Sequence, residues 1–298
     1  MAQFSESYFQ EEIKNGFKIE SMMKRAWAAQ IEVLEEIDRI CRKYRLIYYA
    51  DWGTMLGAVR HGGFIPWDDD IDIAMNRTDY MKFIEIGQKE LGGKGKILSI
   101  YTEETYTQAF MRVVNSDAIS FNEDHLTKYH GCPYIVGVDI FPLDRLSTDI
   151  NQGEIHRKLL NMIYMAIEKI NAGETAEIIV ENIQKICQVK IDFNCNLKNQ
   201  MLRLLDTVCQ LFDKENGKIT EFVNDFGDRR YEFLPEWYEK RVWVPFETIQ
   251  IPLPAGYDRI LTEMYGNYMT PVFHGADHDY PFYKQQEAIL YKYMNDLE

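Results

Sequence analysis

No stretch of this sequence approaches the ~18–20 consecutive apolar residues of a membrane-spanning helix, so no transmembrane segment is expected. The N-terminus, MAQFSESYFQEE, lacks the basic start and apolar run of a secretion signal, and the expected location is the cytoplasm. Cysteine is sparse. Cys41, Cys132, Cys187, Cys195 and Cys209 are odd in number, widely spaced and form no C-x-x-C pair, which suits reduced thiols and argues against a zinc site. Basic residues are also few. Lys and Arg number 33 against 47 Asp and Glu, and the net charge of −14 argues against a nucleic-acid binder and against adhesion to an anionic membrane. Neither internal repeats nor low-complexity segments occur. The 298 residues suffice for a sizeable core in one or two domains.

What is present is a dense acidic run. Asp68, Asp69, Asp70 and Asp72 place four carboxylates within five positions. Ile71, Ile73 and Met75 alternate with Asp70, Asp72 and Ala74, the period-2 pattern of a strand with one buried face. Residues two apart in a strand point the same way. Asp70 and Asp72 therefore project side by side, roughly 6–7 Å apart along the backbone. Two aligned carboxylates are costly unless a cation lies between them. A hard divalent ion, most simply Mg²⁺ with Mn²⁺ as an alternative, meets that need with a phosphate-bearing substrate as natural co-ligand. A calcium loop is a poor alternative, because the twelve-residue EF-hand spacing and its closing glutamate are missing.

Upstream, residues 46–50 read as a strand and Thr54 to Arg60 as a short amphipathic helix. The Gly53-Thr54 turn between them would expose backbone N–H groups and the positive end of the helix dipole. Gly53 permits close approach of a phosphate, and Thr54 can add a hydrogen bond. Arg60 and His61 are candidates to add positive charge near that anion. Gly62-Gly63 loosens the loop that follows, and Pro66 sets the start of the acidic strand. Trp67 reads as core or as a ring stacked on a base.

The stretch from Trp52 to Ile73, WGTMLGAVRHGGFIPWDDDIDI, resembles the signature of the LicD family, with VGVDIFPLD (136–144) and LPAGYDRILTEMYGNYMTP (253–271) extending the likeness. The resemblance implies an α+β protein with a nucleotidyltransferase-like mixed β-sheet core flanked by helices. It also implies phosphocholine or other phospho-alcohol transfer. The donor would be a CDP-alcohol, CDP-choline first, and the acceptor a glycan or lipid-linked sugar of the lipopolysaccharide or teichoic-acid kind. On composition alone Asp139, inside the apolar strand 136–141, is either a metal ligand or a hydrogen-bonded strand-end carboxylate. The family resemblance makes it the third catalytic carboxylate beside Asp70 and Asp72.

The chain divides into three expected parts: a catalytic core over 1–150, a helical subdomain over 151–217, and a C-terminal segment over 218–298 that completes the substrate pocket. Residues 18–45 read as one packing helix without chemistry of its own. Strands are expected at 96–101, 109–114 and 118–122, with Arg112 facing either a phosphate or solvent. Asp144, beyond Pro142, reads as a cap in a turn. Helices are expected at 152–171, 176–190, 198–214 and Tyr257–Tyr265. His274 and His278 sit among Pro271, Gly275 and Pro281, which argues for a place in the substrate pocket over a helical metal site. Most of the 19 tyrosines serve the core and surface, although a few could line a pocket for a quaternary ammonium. Two rival functions share these features: a true nucleotidyltransferase acting on a small molecule or sugar phosphate, and a non-catalytic binding protein on the same fold.

Overall fold

The computed structural model describes residues 3–224, 230–272 and 280–295. A small hairpin, β1 (Glu12–Lys14) and β2 (Phe17–Ile19), leads into the long helix α1 (Ser21–Tyr44). Its apolar side chains recur at three- and four-residue steps, and Met23, Trp27, Ile31, Leu34 and Ile37 are buried along that stripe. Next come β3 (Tyr48–Ala50), α2 (Trp52–His61), β4 (Ile71–Asn76) and α3 (Arg77–Leu91). They are followed by β5 (Lys96–Leu98), β6 (Met111–Val114), α4 (Glu123–Lys128) and β7 (Gly137–Arg145). Three helices come after these: α5 (Ile150–Asn171), α6 (Glu177–Cys187) and α7 (Leu197–Cys209). The chain then runs through β8 (Ile219–Thr220), β9 (Arg241–Phe246), β10 (Ile249–Pro254), α8 (Tyr257–Tyr265) and α9 (Tyr283–Asn295).

The main sheet has six strands in the order β3-β4-β7-β6-β5, with β8 paired to the far end of β7. Only β4 and β7 run parallel; the other pairings are antiparallel. The fold is α+β, as expected. Helices α5 to α7 gather their own apolar cluster around Ile163, Val180, Ile183, Met201 and Leu205.

Two local expectations are corrected. Residues 118–122 form no strand. Both edges of β6 are already taken by β5 and β7, and the segment is a loop leading to the Asn122 cap of α4. Asp144 is not in a turn: β7 continues through Pro142 to Arg145. Pro142 is the register partner of Met75 in β4, while the other edge of β7 is open beside it, since β6 covers only Gly137–Ile140 and β8 only Asp144–Arg145.

Asp144 is fully buried and accepts two hydrogen bonds from Arg77, at 2.7 and 2.9 Å. The third arm of Arg77 reaches Asp206 of α7 at 2.6 Å, and Tyr101 also donates to Asp206. This buried network ties the start of α3 and the end of β7 to the helical cluster. Breaking one partner of a buried ion network strands the others in a dry interior. Arg77→Met is therefore expected to destabilise the protein by about 3–5 kcal/mol, read as a lowered midpoint in urea unfolding.

Candidate active site

The parallel register of β4 and β7 puts Asp72 directly beside Asp139. On the other edge of β7, Arg112 of β6 is the register partner of Asp139. Asp72, Asp139 and Arg112 thus form one row across three neighbouring strands, at the ~4.8 Å strand spacing. Arg112 grips Asp139 through both carboxylate oxygens, a paired geometry that fixes orientation as well as charge. Its side chain remains 45% exposed. Arg112, read from the sequence as facing either a phosphate or solvent, is thus paired with Asp139 while part of its side chain stays exposed.

Asp70 lies just before β4, and Asp68, Asp69 and Asp70 offer oxygens that all fall within 4.8 Å of one another. Burial raises the carboxyl of Asp72 well above its ordinary range, and the charges of Asp70, Asp139, Asp68 and Asp51 raise it further. Asp68 is raised in the same way by burial and by Asp70. An all-oxygen donor set with this much unrelieved negative charge fits a hard divalent cation.

Helix α2 explains why the turn and the acidic strand occur together. Asp51 caps the helix, its Oδ1 accepting from Trp52 N–H at 2.9 Å. The N–H of Asp51 donates to the carbonyl of Asp72 at 3.0 Å, and Thr54 Oγ1 accepts the N–H of Asp72 at 2.8 Å. Both backbone groups of Asp72 are therefore held by the start of α2. Thr54 is buried and its hydroxyl serves Asp72. The helix begins at Trp52, whose φ of +41° carries the turn. Gly53 is required for a different reason, because a Cβ there would lie 2.3 Å from Asp68 Oδ2.

Helix α1 holds the acidic loop from behind. Trp27 Nε1 donates to the carbonyl of Asp68 at 3.0 Å, and Gln30 Nε2 to that of Asp69 at 2.7 Å. The fully buried Asp69 accepts from Phe282 N–H at 2.6 Å, bringing the C-terminal region onto the loop. A cavity of about 540 Å³ opens beside Asp70, Arg112 and Asp139, with Gln30, Phe282 and Gln286 in its wall. A larger cavity, about 640 Å³, lies around Lys94, Asn115 and His125 and includes none of these carboxylates.

Arg60 and His61 sit at the opposite end of α2 from Trp52, about 12 Å along the helix axis. Arg60 donates to the carbonyl of Tyr268 at 2.9 Å. His61 contacts Asn15 and Trp67, and Trp67 in turn packs edge-on against Phe17. Burial, Arg60 and Lys14 lower His61 to about 4, so it is neutral at pH 7 and brings no positive charge to an anion. Gly62 ends the helix at a φ of +65°, so its freedom serves the helix stop. His274 and His278 lie outside the described residues. Sequence reasoning passed over Asp51 and Glu221, and counted Asp68 in the acidic run without giving it a place in the site. Asp51 was legible as an N-cap before Trp52, while Glu221 carries no local signal.

The lowered His61 gives a pH dependence of stability with a definite sign. Between its unfolded value of 6.5 and about 4, the unfolded chain binds more protons than the folded one, so stability falls as the pH falls through that window. His61→Gln is expected to flatten this part of the stability–pH curve, measured as thermal midpoints from pH 7 to pH 4 against the parent protein.

Comparison with known proteins bears on the same residues. Residues 45–147 match the family described as LicD/FKTN/FKRP, nucleotidyltransferase domain. The chain is 25% identical over 265 residues to the lipopolysaccharide cholinephosphotransferase LicD of Haemophilus influenzae, covering 80% of this chain and 88% of that one. An uncharacterised protein of Rickettsia typhi is 38% identical over 72 residues, 24% of this chain and 23% of its own. Another, of Rickettsia prowazekii, is 36% identical over 55 residues, 18% of this chain and 21% of its own. The matched segment holds α2, β4 and β7, the elements that carry the whole carboxylate row, so it is in the residues of the candidate site that the chain is similar to the LicD family.

Proposed function

We propose that this protein is a metal-dependent phosphotransferase. It moves a phospho-alcohol, phosphocholine first, from a CDP-alcohol to a hydroxyl of a glycan or lipid-linked sugar, and CMP leaves. The single observation that carries this reading is the in-register pairing of Asp72 with Asp139, with Asp70 on the approach to the same strand. The relative named as a lipopolysaccharide cholinephosphotransferase supports the phosphocholine part and the choice of a glycan acceptor. A nucleotide-activated donor suits action in the cytoplasm, and no helix among the described residues is long and apolar enough to cross a membrane.

Asp70, Asp72 and Asp139 would hold Mg²⁺ or Mn²⁺, with Asp68 alongside. The bound ion would neutralise the donor diphosphate and polarise the phosphorus under attack. The chain's own groups do the positioning. Asp51 and Thr54 hold Asp72 in place through its backbone. Arg112 orients Asp139 and, part-exposed on the wall of the 540 Å³ cavity, would meet a donor phosphate there. That volume accommodates a nucleotide. Asp139 is the simplest acceptor for the proton of the attacking hydroxyl.

A second reading, nucleotidyl transfer from an NTP, is favoured by the matched domain's own description. Both reactions displace at a phosphoanhydride phosphorus, so the products decide between them. Incubation with CDP-choline, Mg²⁺ and a glycan acceptor is expected to yield CMP and phosphocholine-modified glycan. Asp72→Asn should lower the rate at least 10²-fold, the scale on which removal of one transition-state stabilising group is felt. Release of pyrophosphate from an NTP, with CDP-choline untouched, would replace this reading with the second.

A further inference from the structure

The cavity beside the carboxylate row carries one polar atom that the proposed chemistry leaves without a task. Gln30 of α1 is 1% exposed and forms part of the cavity wall together with Asp70, Arg112 and Asp139. Its amide is fixed in one orientation. Nε2 donates to the carbonyl of Asp69 at 2.7 Å, and a flipped amide would set two oxygens against each other at that distance. Oε1 is buried and has no hydrogen-bond partner among the described residues. No other described residue of this wall keeps a buried side-chain atom unpaired. Gln286, by contrast, spends both ends of its amide on the backbone of Ile135, at 2.9 and 2.8 Å. That pairing ties the first turn of α9 to the chain entering β7. Phe282, just before α9, is half-buried in the same wall. Its N–H is bound to Asp69, and its ring meets that of the buried Tyr283 at 84° with centroids 5.8 Å apart.

We infer that Gln30 reads the base of the nucleotide donor. Its Oε1 accepts the exocyclic amino group of cytosine, and Phe282 offers the face on which the base stacks. The inference rests on the CDP-alcohol reading above and names the residue that selects the base. A buried carbonyl is unfavourable while it lacks a donor, and a ligand N–H supplies one. Cytosine carries an amino donor at the position where uracil carries a carbonyl acceptor. Uracil would set its own oxygen against Oε1, and the Asp69 carbonyl on Nε2 keeps the amide from turning to suit it. A site whose polar atom the wrong ligand leaves unpaired discriminates well. Aromatic faces stack on any base, so Phe282 contributes affinity and Gln30 the choice. The placement suits a nucleoside diphosphate. One cavity of about 540 Å³ joins Gln30 and Phe282 to the carboxylates that would carry the metal and the diphosphate. A sugar hydroxyl donating to Oε1 instead would leave the two bases indistinguishable.

The test compares binding of CDP with that of UDP by calorimetry in the presence of Mg²⁺. The parent protein is expected to prefer CDP about tenfold, the scale of one hydrogen bond. Gln30→Met keeps the length of the side chain and offers no hydrogen bond, so it should abolish the preference by weakening CDP. A merely structural role for Gln30 would weaken both nucleotides alike and keep their ratio. Phe282→Leu should weaken both and keep the ratio; undiminished binding in that variant overturns the stacking role. Equal affinity of the parent for CDP and UDP, or a preference that survives Gln30→Met, overturns the inference and leaves the transferase reading standing. If neither nucleotide binds the parent, the transferase reading falls and the inference falls with it. If Gln30→Met does not fold, a crystal structure of the parent with CDP decides. The cytosine amino group within hydrogen-bond distance of Gln30 Oε1 upholds the inference, and a base placed elsewhere overturns it.

Discussion

The parallel pairing of β4 with β7 is the constraint on which the rest of the molecule depends. Parallel neighbours cannot be joined by a tight turn, so a long crossover must separate them. Here that crossover carries α3, β5, β6 and α4, and it returns β7 to the edge of β4 with Asp139 level with Asp72. The same crossover sets β6 on the free edge of β7 and delivers Arg112 to Asp139. One register therefore places two carboxylates and a guanidinium in a row, and a slip by one residue would turn all three side chains to the wrong face.

Holding so much like charge on two neighbouring interior strands and the loop before them is unfavourable, and the surrounding structure is organised to resist its dispersal. The backbone of Asp72 is pinned from α2, the acidic loop from α1, and Asp69 from the chain just before α9. Arg77, one residue past β4, is held between Asp144 at the end of β7 and Asp206 of α7. The anchors at both ends of the β4–β7 pair are buried, and each draws in an element distant in sequence. The result is a rigid acidic platform whose charge a divalent cation would relieve.

Much of this was legible in the sequence. The alternation of isoleucine with aspartate announced β4, apolar spacing announced α1, three helices were read over 152–214 where α5 to α7 lie, and the α8 boundaries Tyr257–Tyr265 were read as they stand. The row of carboxylates followed from a strand period and a family likeness. What escaped depends on contacts remote in sequence. Asp144 was read as a cap because Pro142 looked like a strand end, whereas β7 runs on through that proline beside β4, with the gap between β6 and β8 on its other edge. Arg60 and His61 were grouped with Gly53 by proximity along the chain, yet helix rise carries them to the far end of α2. Helix α1 was assigned packing alone, whereas Trp27 and Gln30 hold the acidic loop. Glu221 comes to Trp52 across 169 positions, a distance no local pattern reports.

The most direct measurement is anomalous diffraction from crystals grown with Mn²⁺ and CDP. An anomalous peak within coordination distance of both Asp72 and Asp139, with the diphosphate completing the shell, is the expected result. A map without such a peak, or with manganese bound only at a surface site away from these two carboxylates, would contradict the account.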